Sequence, residues 1–121
     1  MKEPTNFTKC LSDQNRLKIL RLLMERDMCV CEMMEVLKAP QSRVSKHLQR
    51  LRADGLVEDR RESKWVVYSL NEKVFRKKMK GLRDIFFGDS AKSEAMKLEF
   101  TRLDNLENRD LLRRKLRVKK R

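Results

Sequence analysis

Apolar and polar positions alternate with the period of a helix through the first half of the chain. Three segments carry this pattern: residues 16–24, 32–38 and 40–55. We expect each of them to form a helix. In the third segment Val44, Leu48 and Leu51 recur at i, i+4 and i+7. These residues form one apolar stripe, which predicts that the helix packs into a small core and leaves a polar face exposed.

The first of the three helices has the widest apolar face. Its inward positions are expected to be Leu17, Ile19, Leu20, Leu23 and Met24. A face of this width is typical of a central helix that is covered on several sides, and Ser12 or Asp13 is suited to cap its N-terminus. The inward positions of the helix over residues 32–38 are expected to be Met33, Val36 and Leu37.

After Gly55 the pattern changes from that of a helix to that of strands. Residues 56–60 are short and extended, residues 62–64 form a polar tip, and residues 65–70 are rich in Val, Trp and Tyr. This pattern predicts a two-stranded ribbon, or wing. Because the two preceding helices are joined by a short turn, they make a helix-turn-helix. The predicted fold is therefore mainly α, a winged helix-turn-helix with about five helices and a two-stranded β-wing.

A further helix is predicted from Asn71, which is a suitable cap. Four large apolar residues recur along it at i, i+4, i+7 and i+11: Phe75, Met79, Leu82 and Phe86. A domain of this size is too small to cover this stripe, and we therefore expect a homodimer that buries it. The alternative is that the helix packs on the core of its own chain. We expect a DNA-binding and dimerisation domain over residues 1–88. A helical extension over residues 89–121 would follow and end in a basic tail.

The charge of the chain points to nucleic acid as the partner. It has 31 Lys and Arg residues against 18 Asp and Glu residues, for a formal net charge of +13. Each cation that neutralises a phosphate releases a counterion, which favours binding. No apolar run approaches the roughly 20 residues that span a bilayer, and the first residues lack the apolar core of a signal peptide. We therefore expect a cytoplasmic protein, without a membrane partner, whose cysteines stay reduced.

The helix over residues 40–55 has the composition of a DNA recognition helix. In a winged helix-turn-helix the N-terminal half of this helix meets base edges in the major groove of double-stranded DNA. The candidate contacts to bases and nearby phosphates are Gln41, Ser42, Arg43, Ser45 and Lys46, with Arg50 as a phosphate contact. On the wing the candidates are Arg60, Arg61 and Lys64. The only histidine, His47, is interpreted as structural. Because the sequence also lacks a phosphate-binding glycine loop, we do not expect the protein to be an enzyme.

Cys29 and Cys31 form a second group of candidate residues, at the start of the helix that leads into the recognition helix. Thiolates bind soft ions, and a helix N-terminus favours the thiolate form. In a regular helix, side chains two residues apart point about 200° apart, so both sulfurs reach one ion only if the first turn opens. That distortion would act on the recognition helix. The alternative is that both cysteines are packing residues.

Five stretches together resemble the ArsR/SmtB family of metalloid- and metal-responsive repressors. Residues 27–33, Asp-Met-Cys-Val-Cys-Glu-Met, resemble its Glu-Leu-Cys-Val-Cys-Asp-Leu box. Residues 11–17 and 41–51 are similar to its second-helix entry and recognition helix, and residues 55–57 with 64–68 are similar to its wing. The resemblance covers about residues 7–87. It implies a dimeric repressor that represses its own operon until an inducer binds.

The resemblance also implies what the inducer is. Arsenite-responsive members usually carry a third cysteine in this box, where this chain has Met34. The inducer is expected to be As(III) or Sb(III). Cys10 is the candidate third ligand, within the chain or across the dimer, although no motif of the family places a ligand there. Cd(II), Pb(II) and thiol oxidation are the alternatives within the family, and an architectural DNA-binding module with structural cysteines is the alternative outside it. The zinc site of other members needs histidine, which residues 72–87 lack.

Overall fold

The computed structural model describes residues 1–88 and 94–109, the last three through their backbone only. The helices and strands in these ranges are α1 Lys2–Leu11, α2 Gln14–Glu25, β1 Met28–Cys29, α3 Val30–Leu37, α4 Gln41–Ala53, β2 Val57–Glu62, β3 Trp65–Leu70, α5 Glu72–Phe87 and α6 Lys97–Arg109. With α3 and α4 as the helix-turn-helix and β2 and β3 as the wing, the predicted winged helix-turn-helix is confirmed. None of the helices in the described ranges is long and apolar enough to cross a bilayer.

The chain divides into two compact units, Lys2–Gly81 and a second that starts at Leu82. In the second unit a short 3-10 turn, Glu94–Met96, leads into α6. Residues 89–93 and 110–121 lie outside the described residues. Most of the predicted basic tail falls there, and the domain boundary expected at residues 88 and 89 stays a prediction.

The core of the first unit forms where α2 and α4 meet. The buried residues of these helices are Ile19, Leu20 and Leu23 on α2 and Val44, Leu48 and Leu51 on α4. The other elements add Phe7, Cys10, Met28, Met33, Leu56 and Val57. The stripe predicted on α4 is therefore confirmed, and it fixes which face of α4 remains available to a partner.

Three residues predicted to point inward are instead exposed: Leu17 (48%), Met24 (47%) and Val36 (55%). On α2 the buried residues occupy one arc of the helix, and Leu17 and Met24 lie about 100° around the helix from its centre. On α3 the core side is that of Met33, and Val36 lies about 60° away from it. The inward placement of these three residues is therefore wrong, although α2 does contact α1, α3, α4 and β3, as expected for a central helix.

Two predicted caps are confirmed. Asp13 Oδ1 accepts hydrogen bonds from the backbone N–H groups of Asn15 (2.8 Å) and Arg16 (3.2 Å) at the start of α2. Burial acts to raise the pKa of Asp13, but these bonds, together with the nearby side chains of His47 and Arg16, lower it. Asn71 Oδ1 accepts from the N–H of Val74 at 3.2 Å and so caps α5.

The sheet contains one strand that the sequence pattern did not predict. Its order is β1-β3-β2, and both pairings are antiparallel. Met28 and Cys29 lie between the helices predicted over residues 16–24 and 32–38, yet Met28 pairs with Tyr68 and Cys29 pairs with Val67. The first of the two cysteines is therefore joined through its backbone to the wing.

The corrected inward face of α2 yields a matched pair of substitutions. Leu20→Ala removes a side chain that is 3% exposed and should lower the free energy of unfolding by about 2–5 kcal/mol. Leu17→Ala removes the same atoms from an exposed position and should lower it by less than about 1 kcal/mol. Chemical denaturation of the two variants measures both values. Equal losses would contradict the assigned core face.

Candidate nucleic-acid interface and thiol cleft

The face of α4 opposite its buried stripe is polar and cationic. Gln41, Ser42, Arg43, Lys46 and Arg50 are exposed there, and Ser45 is half-buried. Since Val44, Leu48 and Leu51 hold the other side of the helix in the core, the structure brings together all six α4 residues predicted to contact DNA. They lie on one helix surface that a DNA groove can reach.

The cations on this face differ in how much of their charge is already neutralised. Arg50 Nε donates to Asp54 Oδ2 at 3.0 Å, and this bond raises the pKa of Arg50. Within the described ranges, no carboxylate lies within ion-pair distance of Arg43 or Lys46. Arg43 and Lys46 therefore offer full charges to a phosphate, whereas Arg50 must share its charge with Asp54.

A basic cleft lies between α4 and the start of α2. Its volume is about 570 Å³. Its lining residues are Asp13, Asn15, Arg16, Arg43, Lys46, His47 and Arg50. His47 Nε2 lies 3.7 Å from Asp13 Oδ1, and the His47 side chain is only 13% exposed. This position agrees with a structural role for His47 beside the helix cap.

The wing carries three predicted DNA contacts in different environments. Arg60 pairs with Asp27 at 2.7 Å and with Glu62 at 2.8 Å, and these bonds raise its pKa. Arg61 and Lys64 are exposed near the tip. Arg60 therefore links the wing to the segment before Cys29 through its ion pair with Asp27. Arg61 and Lys64 are better placed to contact DNA, because both are exposed near the tip.

The backbone of Cys29 differs from the helical geometry assumed for the thiol pair. Cys29 precedes the helix as the N-cap of α3 with an extended backbone (φ −86°, ψ 167°), and Cys31 lies in the first turn. The 200° separation expected for two positions of a regular helix therefore does not hold. Both cysteines instead line one cleft of about 410 Å³, and no helical turn has to open for this.

The other walls of this thiol cleft come from the wing and from α3. They are Glu32, Glu62, Trp65 and Val67. Trp65 and Val67 are two residues apart on β3 and so share one face of the sheet, and the pairing of Cys29 with Val67 brings that face to the thiols. Sequence reasoning missed Glu62, Trp65 and Val67, because only the unpredicted strand β1 brings them to the cysteines.

Glu32 orders the start of α3. Its Oε1 accepts from the backbone N–H of Cys29 at 3.1 Å, and its Oε2 accepts from Arg26 Nη2 at 2.9 Å. The Cys29 backbone bond is the largest cause that lowers the pKa of Glu32, followed by a bond from the Cys29 thiol. Glu32 therefore stabilises Cys29 in its N-cap position through this backbone hydrogen bond.

Cys10, the candidate third ligand, is not brought to the other two thiols within one chain. It is fully buried on α1. Burial, with a hydrogen bond to Asp54, raises its pKa to about 11. Among the described residues, no three His, Cys, Asp or Glu side chains are grouped so as to hold a metal ion. Within the described part of one chain, Cys10 is therefore a buried residue of α1 that does not join Cys29 and Cys31, and a role across a dimer stays a prediction.

The three thiols should therefore react in two phases. Cys31 is exposed and Cys29 is half-buried, so both should react quickly with Ellman's reagent in the folded protein. Cys10 should react only on the timescale of unfolding, because it is buried and its thiolate is disfavoured. Loss of all three thiols in one phase would contradict this placement, and the Cys29→Ser/Cys31→Ser double variant should retain only the slow phase.

Comparisons with known proteins agree with this fold. A family model described as "Bacterial regulatory protein, arsR family" matches residues 13–59, a stretch that includes both cleft cysteines and α4. An arsenic resistance transcriptional regulator of Pseudomonas putida is 40% identical over 72 residues, which are 59% of this chain and 56% of that protein. A cadmium resistance transcriptional regulatory protein of Listeria innocua is 34% identical over 76% of this chain and 73% of its own.

Solved structures share the fold of this chain. The structure of reduced HlyU from Vibrio cholerae aligns with a TM-score of 0.58 at 31% identity, over 71% of this chain and 90% of that one. The chain spans only 56–63% of the length of the arsenic-resistance regulators that it matches. Nevertheless the cadmium-resistance relative and HlyU are matched over more than two thirds of their length at over 30% identity. The chain belongs to the arsR family of bacterial regulatory proteins.

Proposed function

We propose that the protein is a homodimeric DNA-binding repressor in the cytoplasm. It is released from its operator when a thiophilic effector, trivalent arsenic or antimony, binds Cys29 and Cys31. The observation that carries this proposal is the thiol cleft, since both cysteines line it and one of them is paired with the wing. The relatives support the same reading, since they are named as transcriptional regulators of arsenic and cadmium resistance.

DNA binding is supported by the charge and shape of the α4 face. Arg43 and Lys46, which have no carboxylate partner among the described residues, lie where base edges and phosphates would meet the recognition helix, and the wing adds Arg61 and Lys64. The chain's net charge of +13 favours association with a polyanion. No enzyme chemistry is proposed.

Dimerisation is supported by α5. No residue of this helix is buried in the single chain, although Phe75 meets Phe7 edge to face at 6.1 Å. Further along, Met79 is 41% exposed, Phe86 is 73% exposed and Phe87 is 83% exposed. Large exposed apolar surfaces of this kind are typical of subunit interfaces, and a second copy of the chain is the proposed partner.

The route from effector to DNA runs through the wing. Cys29 is a residue of β1, β1 pairs with β3, and β3 pairs with β2. The Arg60–Asp27 ion pair of 2.7 Å adds a second link between the wing and the segment that precedes Cys29. An effector that pulls on Cys29 thus changes the position of the wing tip, as well as acting on the helix that leads into α4.

The donor set limits which effector fits. Thiolates select soft ions, and the cleft offers two of them, with the carboxylates of Glu32 and Glu62 nearby. Trivalent arsenic and antimony form stable bonds to thiolates, and two thiolates leave one position for another group. Cadmium or lead is the second candidate, favoured by the cadmium-resistance relative.

Substitution of Lys46 tests the DNA face. Lys46→Ala should weaken binding to a duplex by about 1–3 kcal/mol if the side chain contacts a base, or lower the salt slope by about one if it contacts a phosphate. Fluorescence anisotropy with a labelled duplex over a range of salt concentrations measures both. Lys80→Ala, which removes an exposed cation from α5, should change neither. Unchanged affinity and slope for Lys46→Ala would refute the assigned face.

Effector release is tested with arsenite and the DNA upstream of the protein's own reading frame. Arsenite should dissociate the wild-type complex, and Cys29→Ser and Cys31→Ser should each raise the required concentration at least about tenfold, a loss of about 1.4 kcal/mol. Cys10→Ala is the matched control, because its thiol lies outside the cleft, and it should respond like the wild type. If the Cys29 and Cys31 variants still release DNA at the wild-type concentration, the proposed site is wrong.

A further inference from the structure

Asp54 is an acid at the end of a row of cations on α4. Arg43, Lys46 and Arg50 recur along this helix at i, i+3 and i+7, and all three line the basic cleft. Asp54 follows Arg50 by four positions and is the C-cap residue of the helix. Side chains four positions apart are neighbours on a helix surface. The row of three cations therefore ends in a carboxylate.

The stability of α4 does not account for an acid at this position. The C-terminal end of a helix carries partial negative charge, so a cation there is favourable and a carboxylate is unfavourable. The cap itself is made by the backbone of Asp54, whose N–H donates to the carbonyl oxygen of Arg50 at 3.1 Å. The carboxylate takes no part in this bond. Its contacts are instead with two other side chains, one on α4 and one on α1.

These two contacts hold the Asp54 carboxylate in place. On α4, its Oδ2 accepts from Arg50 Nε at 3.0 Å. On α1, it is hydrogen-bonded to Cys10, and this bond is the next cause after burial that raises the pKa of that thiol. Cys10 is fully buried, and the Asp54 side chain is only 27% exposed. The negative charge is therefore kept beside Arg50.

We propose that Asp54 limits the affinity of the protein for DNA by competing with the phosphate backbone for Arg50. Carboxylate and phosphate oxygens are both anionic acceptors for a guanidinium group, so the ion pair has to be weakened or shared when Arg50 binds a phosphate. The charge of Asp54 also repels a phosphate that approaches Arg50. The inference rests on the proposed DNA-binding function and adds a residue that sets the strength of binding.

The cations of the row should therefore differ in the effect of their removal. Lys46 offers its full charge to DNA, whereas Arg50 is already paired. Arg50→Ala should consequently weaken binding less than Lys46→Ala does. In the Asp54→Asn background, Arg50→Ala should weaken binding more than it does in the otherwise native chain, because Arg50 then has no competing carboxylate.

Asp54→Asn tests the proposal, because the amide keeps an oxygen that accepts hydrogen bonds and removes only the charge. Fluorescence anisotropy with the DNA upstream of the reading frame should show binding tighter by about two- to fivefold, the range for an exposed ion pair. The salt slope should become steeper by up to about one. Damage to the fold would weaken binding, so it does not imitate this result. Unchanged or weaker binding by the folded variant would overturn the proposal.

Two further variants establish that the effect runs through Arg50. Glu25 pairs with Arg21 at 2.6 Å with the same i,i+4 spacing on α2, so Glu25→Gln removes the same charge at a different place. An equal gain in affinity from Glu25→Gln would overturn the proposal, since net charge would then explain it. The gain from Asp54→Asn should largely disappear when Arg50 is replaced by Ala, and a gain of the same size there would also overturn it.

The comparison of Arg50→Ala with Lys46→Ala decides the matter even if Asp54→Asn does not fold, because equal losses of affinity would contradict the proposal. Its failure is distinct from that of the proposed function. If Lys46→Ala weakens DNA binding but folded Asp54→Asn binds as the wild type does, the DNA-binding function stands and the role of Asp54 is wrong. If the gain through Arg50 is found but arsenite does not release DNA, the role of Asp54 stands and the effector is wrong. If the wild type does not bind DNA, both are wrong.

Discussion

The antiparallel pairing of Met28 and Cys29 with Val67 and Tyr68 is the interaction on which the rest of the site depends. It is only two residues long, yet it joins the entry of the helix-turn-helix to the central strand of the sheet. Because β3 also pairs along its whole length with β2, a displacement of Cys29 would be transmitted through β3 to the wing. The pairing also builds the thiol cleft, since it brings Trp65 and Val67 to the two cysteines.

Charge distribution separates the residues that hold the wing from those that are available to DNA. Arg60 forms ion pairs with Asp27 at 2.7 Å and Glu62 at 2.8 Å, and the pair with Asp27 links the wing to the segment before β1. Arg43 and Lys46 have no such partners in the described ranges. Lys64 lies over the Trp65 ring, so one cation at the wing tip is in contact with the wall of the thiol cleft. A ligand in the thiol cleft would thus contact Trp65, and DNA would contact the neighbouring Lys64.

Local features of the fold could be predicted from the sequence, and non-local ones could not. The stripe of α4 and the Asp13 cap depend on residues a few positions apart, and both were found. Helical periodicity alone does not tell which arc of a helix is covered, so the exposure of Leu17 and Val36 was missed. The strand β1 is too short to show an alternating pattern. Without it, the contribution of Trp65 to the cysteine site had no sequence signature beyond strand propensity.

The central claim is that the thiol pair acts on DNA binding through the wing. Amide hydrogen exchange of the protein with and without a bound trivalent arsenical tests it most directly. With the ligand bound, exchange should change at Cys29 and along β3, at Val67 and Tyr68, while the amides of α2 around Ile19 keep their protection. If the ligand binds both thiols and exchange along β3 and at the wing tip stays the same, coupling through the wing is contradicted.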